Sequence, residues 1–343
     1  MMTMKLLFVM DPLARLQIAG DTTFALMLAA QARNHEIWFC EPRHLCLEHA
    51  DAVARAWPVT VRRVVGDHYL LGPQAVVPLR SCQAVFMRKD PPFDLDYYFA
   101  TLLLERARGQ TLLINDPRGL RESNEKLAIL DYPDLAPPTI VTREAGRLRS
   151  FLAEQGGEMV VKPLDASGGF GVFHVRRGDP NTGAILEQAT NLGRRWTVAQ
   201  KYLPEVRTGD KRIVLVDGEP LCSVLRVPAP DDARGNLHVG ARPMATTLDE
   251  RDMAIVKAVG PRLRERGHFF VGLDVIGGWL TEINVTSPTG ILEANALYNQ
   301  TFEIAVVERI EQKILAFIDA MADAKASAAA AASTMTTPTS GRG

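Results

Sequence analysis

Apolar and polar positions follow two different patterns along this chain, and the change between them falls near residue 120. The first apolar run, Lys5–Met10, is continuous and reads as a buried strand, ended at once by the turn-forming pair Asp11-Pro12. Asp21 can cap a helix reaching Arg33, with Phe24, Met27 and Leu28 on one face. Ile37–Phe39, Ala84–Met87 and Thr111–Ile114 read as further strands, and Asp94 can cap a helix through Arg108. Strand–helix alternation of this kind predicts an α/β domain with a parallel sheet and helices on its faces, over residues 1–122. Val59–Val65 and Tyr69–Leu71 read as a small hairpin inserted into it. The turn-rich stretch Asn115-Asp-Pro-Arg-Gly119 marks its exit.

Beyond Ser123 strands become more frequent. Glu158–Lys162, Val172–Val175, Val198–Tyr202, Lys211–Val216 and Pro220–Val227 precede a strand pair within 271–284. Helices are expected at Arg143–Glu154, Asp249–Glu265 and Thr301–Ile318, and a helical pattern begins at Asn124. This predicts an α+β unit with antiparallel hairpins over residues 123–319. From Ala322 onward the chain is rich in Ala, Ser and Thr and has no aromatic or branched aliphatic residue. Such a segment cannot bury enough apolar surface to offset its ordering entropy, so residues 320–343 are expected to be a disordered tail.

The most informative segment runs from Val271 to Thr289. Two apolar runs flank Gly277-Gly278, a hairpin signal. Asp274 lies on the first strand, and Glu282 and Asn284 on the second, two residues apart and so on one face. Three hard oxygen donors on a two-strand platform suit Mg²⁺, with Mn²⁺ as a substitute; a half-exposed hairpin with solvated polar residues is the plainer alternative. A second segment, Val160-Val-Lys162-Pro-Leu-Asp-Ala-Ser-Gly168-Gly169-Phe-Gly171, carries a lysine at the root of a glycine loop. Its bare backbone N–H groups and the Lys162 charge can hold phosphate oxygens. Lys126 is a candidate for a second phosphate contact. The strand ending Gln200-Lys201-Tyr202-Leu203-Pro204 can offer main-chain groups to an adenine edge. Asp210, Arg212 and Arg226 fall on two strands joined at Asp217-Gly218, where guanidinium forks can meet carboxylate or phosphate oxygens. The polar loop 228–242 contains Arg234 and Arg242 and has the length of a functional lid.

Composition and charge exclude more than they assign. A formal net charge of -1 gives no field for nucleic acid or an anionic membrane. No apolar run approaches the ~20 residues of a membrane helix, and the four cysteines form no CxxC pair. Free thiols and a cytoplasmic location are expected. The sequence has no Walker loop, no spaced G-x-G-x-x-G, no G-x-S-x-G elbow and no HExxH, so catalysis by positioning and charge is expected rather than by a protein nucleophile.

Taken in order, these segments resemble the ATP-grasp superfamily and, more closely, the bacterial glutathione synthetase family. The resemblance rests on Met87-Arg-Lys-Asp-Pro-Pro-Phe-Asp94, Ser123-Asn-Glu-Lys-Leu127, Lys162-Pro-Leu-Asp165, Asp210-Lys-Arg212, Asp217-Gly-Glu-Pro220, Arg234-Gly-Asn-Leu237, Phe270-Val-Gly-Leu-Asp274 and Leu280-Thr-Glu-Ile-Asn-Val-Thr-Ser-Pro-Thr289. It covers roughly residues 4–318. It implies a pre-ATP-grasp domain over 1–122 and an ATP-grasp domain over 123–319, with a lid subdomain at about 130–200. The implied reaction is ATP-dependent joining of γ-glutamylcysteine and glycine through an acyl phosphate. The implied site places nucleotide contacts at Lys126, Lys162, Gly168, Gly169, Gln200, Lys201, Tyr202, Leu203 and Asp210. Metal would sit on Asp274, Glu282 and Asn284, and Arg212, Arg226 and Arg234 would be catalytic. Arg88, Arg242, Ser287 and Thr289 would touch substrate. The family also implies a homo-oligomer. His238-Val-Gly-Ala241 and the stretch after Thr289 differ from the family pattern. They leave open a ligase of the same mechanism with another acid or amine, or a nucleotide-binding regulatory protein without turnover.

Overall fold

The computed structural model describes residues 2–165, 168–229 and 240–335. The first apolar run forms β1 (Lys5–Val9), buried at all but its first position. β2 (Glu36–Cys40) lies parallel to it on one side. β3 (Leu45–Glu48), β4 (Asp51–Val61), β5 (Tyr69–Leu71) and β6 (Ala75–Pro78) extend that side as an antiparallel patch built on β4. On the other side β7 (Ala84–Met87) and β8 (Leu112–Ile114) continue the parallel core. α1 (Thr22–Ala32) starts where Asp21 accepts a 2.6 Å hydrogen bond from the Phe24 amide, and α2 (Leu95–Glu105) starts likewise at Asp94. The short α3 (Pro117–Glu122), capped by Asp116, ends this part.

Two more sheets follow. β9 (Thr139–Thr142), β10 (Glu158–Pro163), β11 (Phe173–Arg176) and β12 (Thr197–Lys201) are antiparallel in the order β11-β10-β12-β9. α4 (Ala145–Glu154) and α5 (Thr182–Thr190) cover one face, giving this unit its own core around Leu148, Phe151, Met159 and Leu186. The third sheet contains β13 (Asp210–Val216), β14 (Glu219–Val227), β15 (Arg242–Met244), β16 (Phe270–Ile276) and β17 (Trp279–Asn284), in the order β15-β14-β13-β16-β17. α6 (Glu250–Glu265), α7 (Ile291–Tyr298) and α8 (Phe302–Met335) complete the chain. One apolar cluster joins Phe8, Phe24 and Phe86 of the first sheet region to Val214, Val306 and Ile310, so the first and third sheets share a core.

Three local expectations change. No α-helix follows Asn124: its side-chain oxygen accepts from the Lys126 and Leu127 amides as an N-cap would, but only a single 3₁₀ turn at Ala128–Asp131 follows. The inserted strand runs over Asp51–Val61 rather than 59–65, because its inward positions Ala52, Ala54 and Ala56 are weak strand formers whose pairing partners supply the stabilisation. The segment expected to be a disordered tail begins as helix: α8 continues through Met335. Alanine has the best intrinsic helix propensity and extends a helix already anchored by Val306, Val307, Ile310 and Ile314.

One side chain ties the halves together. The buried Asn115 amide oxygen accepts from the Phe269 and Phe270 amides (2.8 and 2.9 Å), and its NH₂ donates to the Phe270 and Val285 carbonyls (2.8 and 2.7 Å). These four bonds link the end of β8 to both strands of the 270–284 hairpin. Asn115→Ala would strand buried backbone groups and should cost about 3 kcal/mol. Urea denaturation measures this, and a loss within about 0.5 kcal/mol would show that water replaces the amide.

Candidate functional site

The three sheets converge on one cleft of about 800 Å³. Its floor is the β16–β17 hairpin, whose turn residues Gly277 and Gly278 have φ of 56° and 77°, the left-handed conformation that a two-residue hairpin loop requires. Asp274 and Glu282 are direct cross-strand partners, with Gly272 opposite Asn284. Asp274, Glu282 and Asn284 all line the cleft, as their spacing predicts.

The Asp274 carboxylate is already engaged. Arg212 donates from Nε to Oδ1 at 2.6 Å and from Nη2 to Oδ2 at 3.2 Å, and Arg226 Nη2 lies 3.0 Å from Oδ2. Burial alone would push Asp274 up, but Arg212 and Arg226 outweigh it and hold its carboxyl far below the usual range. Arg226 also donates to Asp210 Oδ2 at 2.5 Å, while Asp210 Oδ1 and Arg226 Nε have no partner. Burial raises Asp210 to about 6, with Arg226 opposing and Asp274 adding to the rise. Buried polar atoms left without partners mark places where a ligand completes the hydrogen bonding.

Two lysines face this acidic floor. Lys126 Nζ lies 3.2 Å from Glu282. Lys162, delivered by β10, lines the cleft and has no carboxylate within salt-bridge distance among the described residues. Burial lowers its pKa, Lys126 lowers it further, and Glu282 opposes. A half-buried cation in this state favours an incoming anion. Gly168 and Gly169 form part of the same wall with φ of 64° and 80°. At the other end of the β11-β10-β12-β9 sheet, Gln200, Lys201, Tyr202 and Leu203 line the cleft, and Gln200 donates to Thr139 Oγ1 at 3.2 Å.

Arg88, Ser287 and Thr289 line the opposite end. The outlier is Arg242: it is exposed on the edge strand β15, beside Met244, and is absent from the cleft wall. An edge strand leaves its side chains in solvent unless a further segment covers them. Arg234 and most of the 228–242 loop lie outside the described residues.

Several residues of the wall carried no sequence signal. His174 stacks on Tyr202 with centroids 3.7 Å apart and 12° between planes, giving a flat surface beside Val160 and Pro137. It looked like any strand residue, since stacking depends on pairing across β10–β12. Glu125 is half-buried and accepts from the Val285 amide, the Thr286 amide and the Thr286 hydroxyl at 2.9, 3.0 and 2.8 Å. It thereby ties the Lys126 turn to the loop following Asn284, and only its adjacence to Lys126 hinted at this. Glu293, in the first turn of α7, also lines the cleft.

The donor set fits a hard divalent cation. Glu282 and Asp274 are adjacent carboxylates, and Asn284 donates through Nδ2 to the Gly272 carbonyl at 3.2 Å, which turns its oxygen the other way.

Comparison with known proteins identifies the family of the chain. Residues 4–121 match the model of the prokaryotic glutathione synthetase N-terminal domain, and residues 125–299 match that of the prokaryotic glutathione synthetase ATP-grasp domain. The glutathione synthetase of Rhodopseudomonas palustris is 46% identical over 312 residues, covering 91% of this chain and 99% of the relative. That of Vibrio parahaemolyticus is 44% identical, covering 90% and 98%. Among solved structures, D-cycloserine synthetase DcsG has a TM-score of 0.65 at 17% identity, covering 90% of this chain and 99% of its own. A RimK domain ATP-grasp protein from Sphaerobacter thermophilus has a TM-score of 0.58 at 20% identity, covering 89% and 98%. The distant structures establish the ATP-grasp fold, the near relatives add the kind of ligase, and together they place this chain in the prokaryotic glutathione synthetase family.

Proposed function

We propose that this protein joins γ-glutamylcysteine to glycine with ATP, releasing ADP and phosphate. The observation that carries the reading is the meeting of Lys126 and Lys162 with Asp274, Glu282 and Asn284 on the wall of one cleft, in a chain of this family. In the reaction, a carboxylate oxygen of the cysteinyl residue attacks the γ-phosphorus and the bond to ADP breaks. The glycine amine then attacks the acyl carbon, the C–O bond to phosphate breaks, and the nitrogen releases a proton. Neither step needs a protein nucleophile, so alignment and charge neutralisation supply the acceleration.

The adenine would lie against the His174–Tyr202 surface, between the main chain of 200–203 and Val160. Lys162, Lys126 and the backbone of Gly168 and Gly169 would hold phosphate oxygens. Asp274, Glu282 and Asn284 would hold Mg²⁺, or Mn²⁺ in its place, which supplies positive charge at the phosphate oxygens. Arg212 and Arg226 can exchange part of their hold on Asp274 and Asp210 for the transferring phosphoryl group. Arg88, Ser287 and Thr289 would position the acid substrate.

Self-association belongs to the same reading. Leu95, Tyr98, Phe99 and Leu102 recur at helical spacing on α2 and are all exposed, the kind of stripe that a second copy covers. No helix among the described residues is long and apolar enough to cross a membrane. The functional reading is tested by incubating the purified protein with ATP, Mg²⁺, γ-glutamylcysteine and glycine and following ADP and product mass. Glutathione should appear in step with ADP. ADP release with another acid–amine pair, and none with this one, would overturn the substrate assignment.

A further inference from the structure

Behind the cleft floor lies a second, much smaller cavity of about 10 Å³, room for no more than one water. Ser123, Ala128, Tyr132, His268, Ile283 and Val285 wall it. Ile283 on β17 points away from its neighbours Glu282 and Asn284, which line the cleft, so cavity and cleft lie on opposite sides of that strand. The turn that carries Lys126 straddles the strand: Glu125 and Lys126 line the cleft, whereas Ser123 lines the cavity. On the cleft side, the Glu125 carbonyl accepts from the Ile283 amide at 3.0 Å, and its carboxylate accepts from Val285 and Thr286. On the cavity side, Ser123 Oγ lies 2.8 Å from His268 Nε2, and both residues are buried. Arg266 Nη1 is 3.5 Å from the same hydroxyl, too far to hold it alone. His268 is fixed at its backbone. Its amide donates to the Leu263 carbonyl of α6 at 2.8 Å, and the next two amides are those held by Asn115. Its Nδ1 has no partner, so the Ser123 hydroxyl is the ring's one hydrogen-bond partner among the described residues. Burial, then Arg266, pushes the ring down to about 4 against Asp116, which leaves it uncharged near neutral pH.

We propose that the Ser123–His268 pair, outside the cleft, is a positioning device that fixes the aim of Lys126. The inference rests on the ligase reading above and goes beyond it, to residues that touch no substrate, nucleotide or metal. Lys126 sits on no helix that would stiffen its root; Asn124 gathers the Lys126 and Leu127 amides, and a single 3₁₀ turn comes after. Held through Glu125 alone, the turn could pivot about the edge of β17. A lysine stem is long and flexible, so a small tilt at its root becomes a large displacement at Nζ. A second attachment on the opposite side of the strand removes the pivot. Ser123 supplies it, against a ring whose main chain is pinned to α6 and, through Asn115, to the end of β8. Breaking this buried bond would leave Nε2 as well as Nδ1 without a partner, a cost that favours one geometry of the turn.

The test measures the affinity of the full chain for ATP with Mg²⁺, by titration calorimetry, and by the ATP-dependent rise in melting temperature where binding is weak. Ser123→Ala should weaken ATP binding ~10-fold and lower turnover by a similar factor, within the ~10²-fold that a 1 Å misplacement can cost. In a Lys126→Met background the same change should alter ATP affinity by less than ~2-fold, because no ammonium is left to aim. His268→Asn, too short to reach Ser123, should match Ser123→Ala. His268→Gln, whose amide can take the place of Nε2, should stay within ~3-fold of the parent. Equal weakening with and without the Lys126 ammonium would make the pair a general prop of the fold and overturn the positioning role. So would a Ser123→Ala protein that binds ATP within ~2-fold of the parent. The Ser123 measurements decide alone if a His268 variant fails to fold. If the unaltered protein does not bind ATP, the ligase reading itself fails and the positioning role falls with it.

Discussion

Glu282→Gln should lower turnover at least ~10²-fold and leave the ligand-free fold intact, by the scale of removing one key electrostatic contact from a preorganised site. The side chain keeps its volume and loses a charge at the centre of the hairpin floor, opposite Asp274 and 3.2 Å from Lys126. In the ligand-free protein that charge is not a clear asset. Glu282 raises the pKa of Glu125, after burial, and adds to the rise at Asp210. Neutralising it relieves the repulsion of Glu125 and Asp210 but gives up the Lys126 ion pair and the attraction of Lys162 and Arg226, so the melting temperature without ligands should change little. The stabilisation that ATP with Mg²⁺ gives the parent should shrink in the variant, because ligand-linked stability follows affinity. Turnover and paired melting curves with and without ATP and Mg²⁺ decide the matter. Turnover within ~3-fold of the parent at limiting Mg²⁺ would remove Glu282 from the site, and collapse of the ligand-free fold would make it a structural residue.

The parts of this site that could be read from sequence share one property: their geometry is set within a few residues. Gly277-Gly278 fixes a hairpin, the hairpin fixes the face, and so Asp274, Glu282 and Asn284 converge. Lys162 and its glycine loop are local in the same way. Groups whose role depends on distant pairing were silent. Glu125 acts on Val285 and Thr286, His174 on Tyr202, and Asn115 on residues about 155 positions away. Arg212 and Arg226 were visible as adjacent-strand arginines, but their shared hold on Asp274 needed the third strand, β16, to be placed beside β13. Helix α7 was missed because Gly290 precedes it and its apolar positions lack a clear stripe, and Glu293 was missed with it. In the described part of the tail, α8 runs on to Met335: low hydrophobicity argues against a core, but not against extending a helix whose earlier turns are docked.

Arg226→Met should produce the largest loss of stability in the site, and the loss should depend on pH. Arg226 is 4% exposed and is the cation shared by Asp210 and Asp274. Removing it leaves two buried carboxylates with Arg212 alone and Glu282 nearby, a change of the kind that costs about 3–5 kcal/mol. The sign of the pH effect follows from Asp210, which burial raises from 3.8 to about 6 in the folded protein against the opposing pull of Arg226. A raised folded pKa means that the folded state binds the proton more tightly, so this contribution is present at low pH and lost as pH rises through about 6. Without Arg226 the Asp210 pKa must climb further. The variant can then shed part of its penalty by taking up a proton that the parent does not yet hold. The deficit should therefore be greatest near pH 8 and smaller near pH 6. Asp274 works in the same direction. Its carboxyl is held low against burial by Arg212 and Arg226, and losing one of them moves it up toward the ordinary range. Urea denaturation of parent and variant at the two pH values gives the comparison directly. A deficit of equal size at both would mean that lost packing around the guanidinium stem, not unpaired buried charge, is what the substitution removes.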